Sequence, residues 1–217
     1  MERSAGKMVM RERILEIANR LFYGEGIRAV GVDTIAAEVG ISKRTLYNYF
    51  PSKDDLIVAY LSRRSQPAEV SGLPAVEQIL GDFDRLERTF SGDGFRGCPF
   101  VNAVAELKEP GHAANKIARA FKNQRRTWFR DLLSRLQVAN PDGLAMQLML
   151  LVDGAIAAAV VHGDPKMART AREAARVLLT AAGVDSSGIS AKGGRPLKRR
   201  PHRGASRSGV AKQSNPK

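Results

Sequence analysis

Cysteine and histidine are scarce in this sequence, which has 1 Cys and 3 His among 217 residues. A lone cysteine, Cys98, excludes a disulfide within the chain and suits a reducing compartment such as the cytoplasm. The histidines lack the spacing of a zinc site, and the sequence has neither a Gly-x-Ser-x-Gly motif nor a phosphate-binding loop. We therefore expect a cytoplasmic protein with no metal, no cofactor and no catalytic activity.

Long apolar runs are also rare, and only Leu144–Val161 has the length of a membrane span. This run contains Gln147 and Asp153, and a carboxylate at the middle of a bilayer costs about 2.5–3.5 kcal/mol. The N-terminus passes from charged residues into an amphipathic pattern without the apolar stretch of a signal peptide. The sequence predicts a buried helix here and no membrane partner.

Acidic residues are nearly missing from residues 185–217, which hold 9 Lys or Arg against 1 Asp and so carry +8 of the formal net charge of +13. Almost no apolar residue is present there to offset the entropy lost on ordering, so we expect a disordered basic tail. Such a tail favours an acidic partner such as nucleic acid. Its Gly193–Pro196 stretch and Lys198–Arg200 fit a minor-groove hook or, more simply, a nonspecific polycation.

Apolar residues recur at helical spacing through most of the remaining chain, which predicts an all-α fold. Residues 1–8 are expected to form an N-terminal arm. Helices are then expected from there to about residue 23 and at about residues 33–39, 43–50, 52–64, 76–91, 98–106, 113–136, 141–162 and 164–182.

Residues 39–53 have the chemistry of two helices joined by a tight turn. Gly40 can take the left-handed conformation that ends one helix, and Ser42 can cap the N-terminus of the next. Beyond a proline that stops this second helix, Ser52 and Asp55 have capping-box spacing for a third. Because helices joined by so short a turn cross steeply, the pattern predicts a helix-turn-helix whose second helix enters the DNA major groove.

The predicted recognition helix has an inner and an outer face, with Leu46, Tyr49 and Phe50 at core-facing spacing. Lysine and arginine can donate to guanine, asparagine can pair with adenine, threonine can contact a thymine methyl and tyrosine hydroxyls can reach phosphates. Asp33 and Lys53 lie at predicted helix N-termini, where a carboxylate is favourable and a phosphate can bind, respectively. The predicted DNA-binding residues are Asp33, Ser42, Lys43, Arg44, Thr45, Tyr47, Asn48, Tyr49 and Lys53.

From Arg11 to Leu56 the sequence resembles the N-terminal DNA-binding domain of TetR-family (tetracycline-repressor-type) regulators. The matching positions are Ile14-Leu15, Leu21-Phe22, Gly26, Ile35-Ala36, Gly40-Ile41-Ser42, Thr45-Leu46-Tyr47, Tyr49-Phe50 and Ser52-Lys53. Two positions depart from the family pattern. Gly31 stands where Ser or Thr is usual, and Arg44, which adds a long cation to the outer face, stands where Gly is frequent.

This resemblance implies a sequence-specific transcriptional regulator, most simply a repressor that a small-molecule effector releases from a double-stranded DNA operator. It implies a helix-turn-helix domain over residues 1–52, a helical ligand-binding and dimerisation domain over 53–184, and the tail over 185–217. The last two helices of that second domain would form a four-helix bundle with a second subunit, giving a homodimer. Their small residues allow close approach: Gly154, Ala155, Ala157–Ala159, Ala168, Ala171, Ala174 and Ala175.

Candidate effector-binding residues lie in the second half of the chain, where Gly97–Glu106 resembles a ligand-domain segment of some TetR-type regulators. They are Phe83, Cys98, Phe100, Asn102, Phe121, Trp128 and Asp153, with His112 and His162 as further polar candidates. Aromatic residues at this spacing fit a pocket lining or an ordinary core equally well.

Two alternative functions remain open at the level of sequence. The basic tail would suit an architectural protein that coats DNA. Cys98, at a predicted helix N-terminus near Arg96, would suit a redox- or electrophile-responsive regulator, because the helix dipole favours the thiolate. A buried cysteine that packs as a small hydrophobe is the plainer interpretation of the same position.

Overall fold

The computed structural model describes residues 2–65 and 72–185, with side chains from residue 6 onward. Over these two stretches the chain is all-α, as the sequence predicted, and forms no strand. The helices are α1 Glu2–Glu25, α2 Val32–Val39, α3 Lys43–Tyr47, α4 Lys53–Arg64, α5 Ala75–Phe90, α6 Pro99–Leu107, α7 Ala113–Arg135, α8 Pro141–His162 and α9 Met167–Ala181. The predicted basic tail, apart from Asp185, lies outside the described residues.

Helix α1 begins at Glu2, so the prediction of a separate arm over residues 1–8 was wrong. Only Gly6 disfavours a helix in this stretch, at a cost of about 1 kcal/mol relative to alanine. Gly6, Lys7, Met8 and Val9 are exposed, so these residues show no buried face that a search for amphipathic periodicity would detect. Local propensity therefore extends the helix beyond its packed face.

Helix α3 is shorter than predicted: it ends at Tyr47 and not at Phe50. The residue before a proline is disfavoured in the helical region, so Phe50 cannot continue the helix into Pro51. The chain turns instead, with the amide nitrogens of Tyr49 and Phe50 donating to the Leu46 carbonyl at 2.9 and 3.0 Å.

The N-terminal helices α1 to α4 close around one apolar core, whose fully buried members include Ile14, Ile35, Leu46 and Leu56. Side chains from α6 and the first half of α7 join the same core, namely Phe100, Ala103, Ala114 and Ala118, together with Cys98 just before α6. The core therefore continues past residue 52, where the sequence suggested a domain boundary.

A second core lies between α5, α8, α9 and the later part of α7. Phe83, Phe129, Leu148 and Ala175 are each fully buried there. Ile156 of α8 packs against both cores and so connects them. The two cores therefore form a continuous packed connection from the N-terminal helices to the later helices.

Helix α8 corresponds to the long apolar run of the sequence and coincides with the predicted residues 141–162. Among the described residues it is the one helix long and apolar enough to cross a membrane, and 39% of its most apolar window is buried inside the protein. Leu144, Leu148 and Val152 are part of the second core, which accounts for much of that apolar character.

Candidate nucleic-acid interface

The turn between α2 and α3 is closed by the two residues that the sequence singled out. Gly40 has φ of 80°, in the left-handed region, and its amide nitrogen donates to the carbonyls of Ala36 and Ala37. The Ile41 amide also donates to the Ala36 carbonyl at 2.9 Å, as in a Schellman motif. Ser42 Oγ then accepts from the Thr45 amide at 3.0 Å and caps α3. These caps satisfy the backbone at both sides of the turn and fix the direction of α3.

The outer face of α3 presents polar groups to solvent above one buried anchor. Leu46 is fully buried, whereas Lys43, Arg44, Asn48 and the partly apolar Tyr47 are exposed. The exposed side chains of α3 are therefore those predicted from the spacing, except that of Thr45.

Thr45 and Tyr49 are less available than the other predicted contacts. Thr45 is partly buried, and its hydroxyl lies 2.8 Å from Ser42 Oγ, with which it shares a hydrogen bond. Tyr49 is partly buried against the N-terminal core, as its core-facing spacing suggested. Ser42 is engaged as a cap, so its main role in this structure is to hold the helix rather than to present a free hydroxyl.

Asp33 and Lys43 form a direct ion pair between α2 and α3. Lys43 Nζ donates to Asp33 Oδ2 at 2.9 Å, with the two side chains 50% and 72% exposed. The hydrogen bond to Asp33 raises the pKa of the Lys43 ammonium above its usual value. Sequence reasoning named both residues as DNA contacts but gave no sign that they meet.

Lys53 occupies the first turn of α4, where Ser52 Oγ accepts from the Asp55 amide at 3.0 Å and donates to the Asp55 carboxylate at 2.6 Å. Ser52 is thus confirmed as the N-cap of α4, with Asp55 as its partner three residues on. Lys53 is partly buried, with Nζ 6.0 Å from the centroid of the Phe22 ring. Burial lowers the pKa of Lys53, opposed by the charges of Asp54 and Glu106. A helix start with a partly desolvated ammonium is suited to a phosphate.

Contacts between distant parts of the chain hold the end of α1 and the loop after it against α6. The Tyr23 hydroxyl donates to the Gly97 carbonyl and accepts from the Arg96 amide, both at 3.0 Å. The Arg28 amide donates to Glu106 Oε2 at 3.0 Å. Both ends of α6 are therefore attached to the segment around the end of α1. Sequence reasoning did not single out Tyr23, Arg28 or Glu106, because no local pattern signals partners more than 70 positions apart.

A further contact joins α4 to α7. The His112 ring is almost fully buried, its Nδ1 accepts from the Ala114 amide at 3.0 Å, and its Nε2 lies 3.5 Å from Asp54 Oδ1. Since Nδ1 accepts from the backbone of α7, Nε2 is the ring nitrogen that faces the carboxylate. The histidine therefore caps α7 and faces the start of α4, next to Lys53.

The predicted effector-binding residues do not form a single group in this structure. Phe100 stacks on Phe121, with ring centroids 4.0 Å apart, in the first core near buried Cys98. Phe83 and Trp128 belong to the second core instead, where Trp128 packs on Phe129.

The polar candidates already have partners or lie at the surface. The Asn102 side-chain amide donates to the Arg96 carbonyl at 2.8 Å, and Asp153 pairs with Lys122 of α7. His162 is exposed at the end of α8. Within the described parts of the chain, no group of three or more His, Cys, Asp or Glu side chains is arranged to hold a metal ion.

Comparison with known proteins gives a consistent result. The family model described as bacterial regulatory proteins of the tetR family matches residues 14–60. The chain is 24% identical over 179 residues to the HTH-type transcriptional regulator YjdC of Escherichia coli, which covers 79% of this chain and 94% of that protein.

Solved structures agree over most of the chain. A tetR-type transcriptional regulator of Streptomyces avermitilis is 35% identical, with a TM-score of 0.72 over 81% of this chain and 98% of the other. SCO4454, a TetR-family transcriptional regulator from Streptomyces coelicolor, is 33% identical, with a TM-score of 0.70 over 80% of this chain and 95% of the other. The similarity extends well past the helix-turn-helix into the helical region that follows it.

Proposed function

This chain belongs to the TetR family of bacterial transcriptional regulators, which bind DNA through a helix-turn-helix, and from this premise we propose that it is a repressor released from its operator by a small molecule. The observation that carries the proposal is the doubly capped α2–α3 turn, which presents Lys43, Arg44 and Asn48 to solvent above buried Leu46. Proteins of this family are regulators and not enzymes.

The N-terminal residues of α3 would contact base edges in the major groove, since this is how a recognition helix docks. Arg44 is the strongest candidate for a bidentate contact to guanine, and Asn48 for one to adenine. Lys53 at the start of α4 would bind a phosphate and set the register without reading sequence. Tyr47 would reach a phosphate or sugar at the edge of the same surface.

We propose that two copies pair through α8 and α9, because TetR-family regulators act on operators as dimers. Met146, Leu150, Gly154, Ala157 and Val161 follow one another three or four positions apart along α8 and are all exposed. On α9, Val177 is 62% exposed. Exposed apolar side chains in such a stripe are typical of a surface that is covered in the functional state. The dimer would place two recognition helices on half-sites about one helical turn apart.

An effector would act through α6, which is attached to the reading domain at both ends by Tyr23 and by the Arg28–Glu106 hydrogen bond. An effector that favours a different position of α6 would shift the recognition helices of the two subunits relative to each other. The two helices would then no longer fit successive major grooves of the operator. A coupling free energy of about 1–3 kcal/mol would weaken operator binding about 5- to 150-fold. The division into a reading domain over residues 1–52 and an effector and dimerisation domain over 53–184 belongs to this proposal, as does action in the cytoplasm on the nucleoid.

Two alternatives give different experimental outcomes. An architectural protein would depend on the basic tail over residues 185–217, of which only Asp185 lies within the described residues. A redox-responsive regulator would depend on Cys98, which is 8% exposed at the N-cap position of α6. Cys98→Ser would abolish an oxidant response and leave operator binding intact if that second alternative held.

The test is a footprint of the purified protein on the DNA that flanks its own gene, with excess nonspecific DNA and about 0.2 M salt to suppress purely electrostatic binding. We expect a short protected inverted repeat. Arg44→Ala and Asn48→Ala should each remove protection by the loss of about 1–3 kcal/mol of base discrimination. Diffuse protection that persists in both variants would contradict a sequence-reading dimer.

A further inference from the structure

We propose that Asp33 is a specificity-determining residue, whose carboxylate holds the Lys43 ammonium so that it is available to a guanine edge but not to the phosphate backbone. This inference rests on the proposed function, since it assigns a role within the same reading surface. It replaces the initial expectation that Asp33 itself binds DNA.

The position of the pair makes such a role physically reasonable. Lys43 is the first residue of α3, and the N-terminal residues of a recognition helix are those that meet base edges. Asp33 lies in the first turn of α2, where the helix dipole stabilises a carboxylate. The 2.9 Å contact between them therefore lies on the DNA-facing side of the helix-turn-helix, at its surface.

The pairing changes what Lys43 gains from each kind of DNA contact. A free lysine is a compact charge on a flexible stem, and it neutralises a phosphate on any sequence. Paired with Asp33, the two side chains together carry no net charge, so a phosphate gains little from them. The ammonium nevertheless has three N–H groups, of which Asp33 Oδ2 takes one. Two donors remain for the O6 and N7 acceptors of a guanine.

The pair therefore increases sequence specificity by weakening the nonspecific DNA complex. Nonspecific binding comes almost entirely from phosphate neutralisation, whereas base contacts add sequence information. Removing one phosphate contact from nonspecific complexes while keeping one base contact in the specific complex increases the ratio between the two affinities. Specificity then comes from a less favourable nonspecific complex and not from an additional contact in the specific complex.

Asp33→Asn tests the inference because it removes the charge and keeps the shape. Glu38→Gln is the matched control: Glu38 lies in the same helix, is also exposed and paired, but its partner is Arg20 of α1. Both variants increase the net charge by the same amount. Binding to a mixed-sequence duplex of about three helical turns is measured between about 0.05 and 0.2 M salt.

We expect Asp33→Asn to steepen the slope of log K against log salt by about 0.9 per protomer, the value for one additional phosphate contact. Nonspecific affinity near 0.1 M salt should increase up to about 8-fold, the factor that one released counterion supplies. Glu38→Gln should change the slope far less. Asp33→Asn combined with Lys43→Met should return to the slope of Lys43→Met alone, because the released lysine is then missing.

Base preference supplies the second measurement, from duplexes selected out of a random-sequence pool. The wild-type protein should select sequences that share a guanine at one position. Asp33→Asn and Lys43→Met should each lose the preference for guanine at that position. Equal slopes for Asp33→Asn and Glu38→Gln would overturn the inference and leave the proposed function standing, provided that the wild type selects a sequence. If the wild type selects no sequence at all, the proposed function fails and the inference fails with it.

Discussion

Tyr23→Phe should separate the contact between the reading domain and α6 from the contact between the reading domain and DNA. The substitution deletes one oxygen atom, which accepts from the Arg96 amide and donates to the Gly97 carbonyl, both at 3.0 Å. The Tyr23 ring should stay in place, because it packs on the N-terminal core and lies 4.4 Å from the Arg64 guanidinium carbon.

The expected loss of stability follows from these two hydrogen bonds. Each is worth about 0.5–1.5 kcal/mol net, and because the contact is only partly buried, water can replace part of the loss. We therefore expect the free energy of unfolding to fall by about 1–2 kcal/mol. For a chain of this size, each kcal/mol lowers the melting temperature by about 2–4 °C.

The assay compares Tyr23→Phe with Tyr47→Phe, which deletes the same atom from an exposed side chain on the reading face. Thermal and denaturant unfolding are measured at equal protein concentration, since dimerisation makes stability concentration-dependent. Amide hydrogen exchange over residues 95–98 provides a local readout. Tyr23→Phe should lower stability and accelerate exchange there, with effector-free operator affinity almost unchanged. Tyr47→Phe should weaken DNA binding and leave stability within about 0.5 kcal/mol of wild type.

If the two variants have equal unfolding free energies and amide exchange at residues 95–98 is unchanged, the Tyr23 hydroxyl does not stabilise the position of α6. A large loss of operator affinity in effector-free Tyr23→Phe would refute the separation of the two surfaces.

Three further predictions concern the cap, the core and the tail. Ser42→Ala should lower stability by about 1 kcal/mol through loss of the α3 cap and should weaken operator binding, whereas Ser42→Thr should retain most of both in the same unfolding and binding assays. Burial raises the pKa of Tyr60 to about 12, so its contribution to stability is complete below about pH 10 and is lost as pH rises through about 12. Between about pH 10 and 12 the wild type should therefore lose on the order of 2–3 kcal/mol of unfolding free energy that Tyr60→Phe does not lose. Equal losses in the two proteins over this pH range would contradict the prediction. Deletion of residues 186–217 should preserve the protected sequence in a footprint while it reduces affinity and salt slope, and complete loss of protection would favour a tail-driven DNA-coating protein.

Local sequence patterns predicted the helices well because the signals that start and stop them are local. Ser52 caps α4, Cys98 lies at the start of α6 and α8 begins at residue 141, as the sequence predicted. The errors arose where propensity acts without burial, as at the start of α1, or where a proline changes the preceding residue, as at the end of α3.

The exposure of the candidate DNA-binding residues was predictable from the sequence, but the contacts among them were not. Lys43, Arg44, Tyr47 and Asn48 are exposed as the helical spacing required. That Lys43 is paired with Asp33 depends on the crossing angle of α2 and α3, which no spacing of residues specifies.

The placement of the candidate effector-binding residues was the least predictable part of the chain. Phe83, Phe100 and Trp128 are all aromatic residues within predicted helices. The fold nevertheless distributes them between two cores. Periodicity tells which face of a helix is buried but not which other helix covers it.

The sequence by itself determined the all-α class, the position of the helix-turn-helix and the family, because caps, turns and apolar periodicity act between residues a few positions apart. The tertiary structure alone decided that Tyr23 and Arg28 hold α6, that His112 faces Asp54, and that Asp33 holds Lys43. These contacts join residues 10 to 78 positions apart. They exist only after the two cores have packed, since it is the packing of whole helices that brings such residues within hydrogen-bond distance.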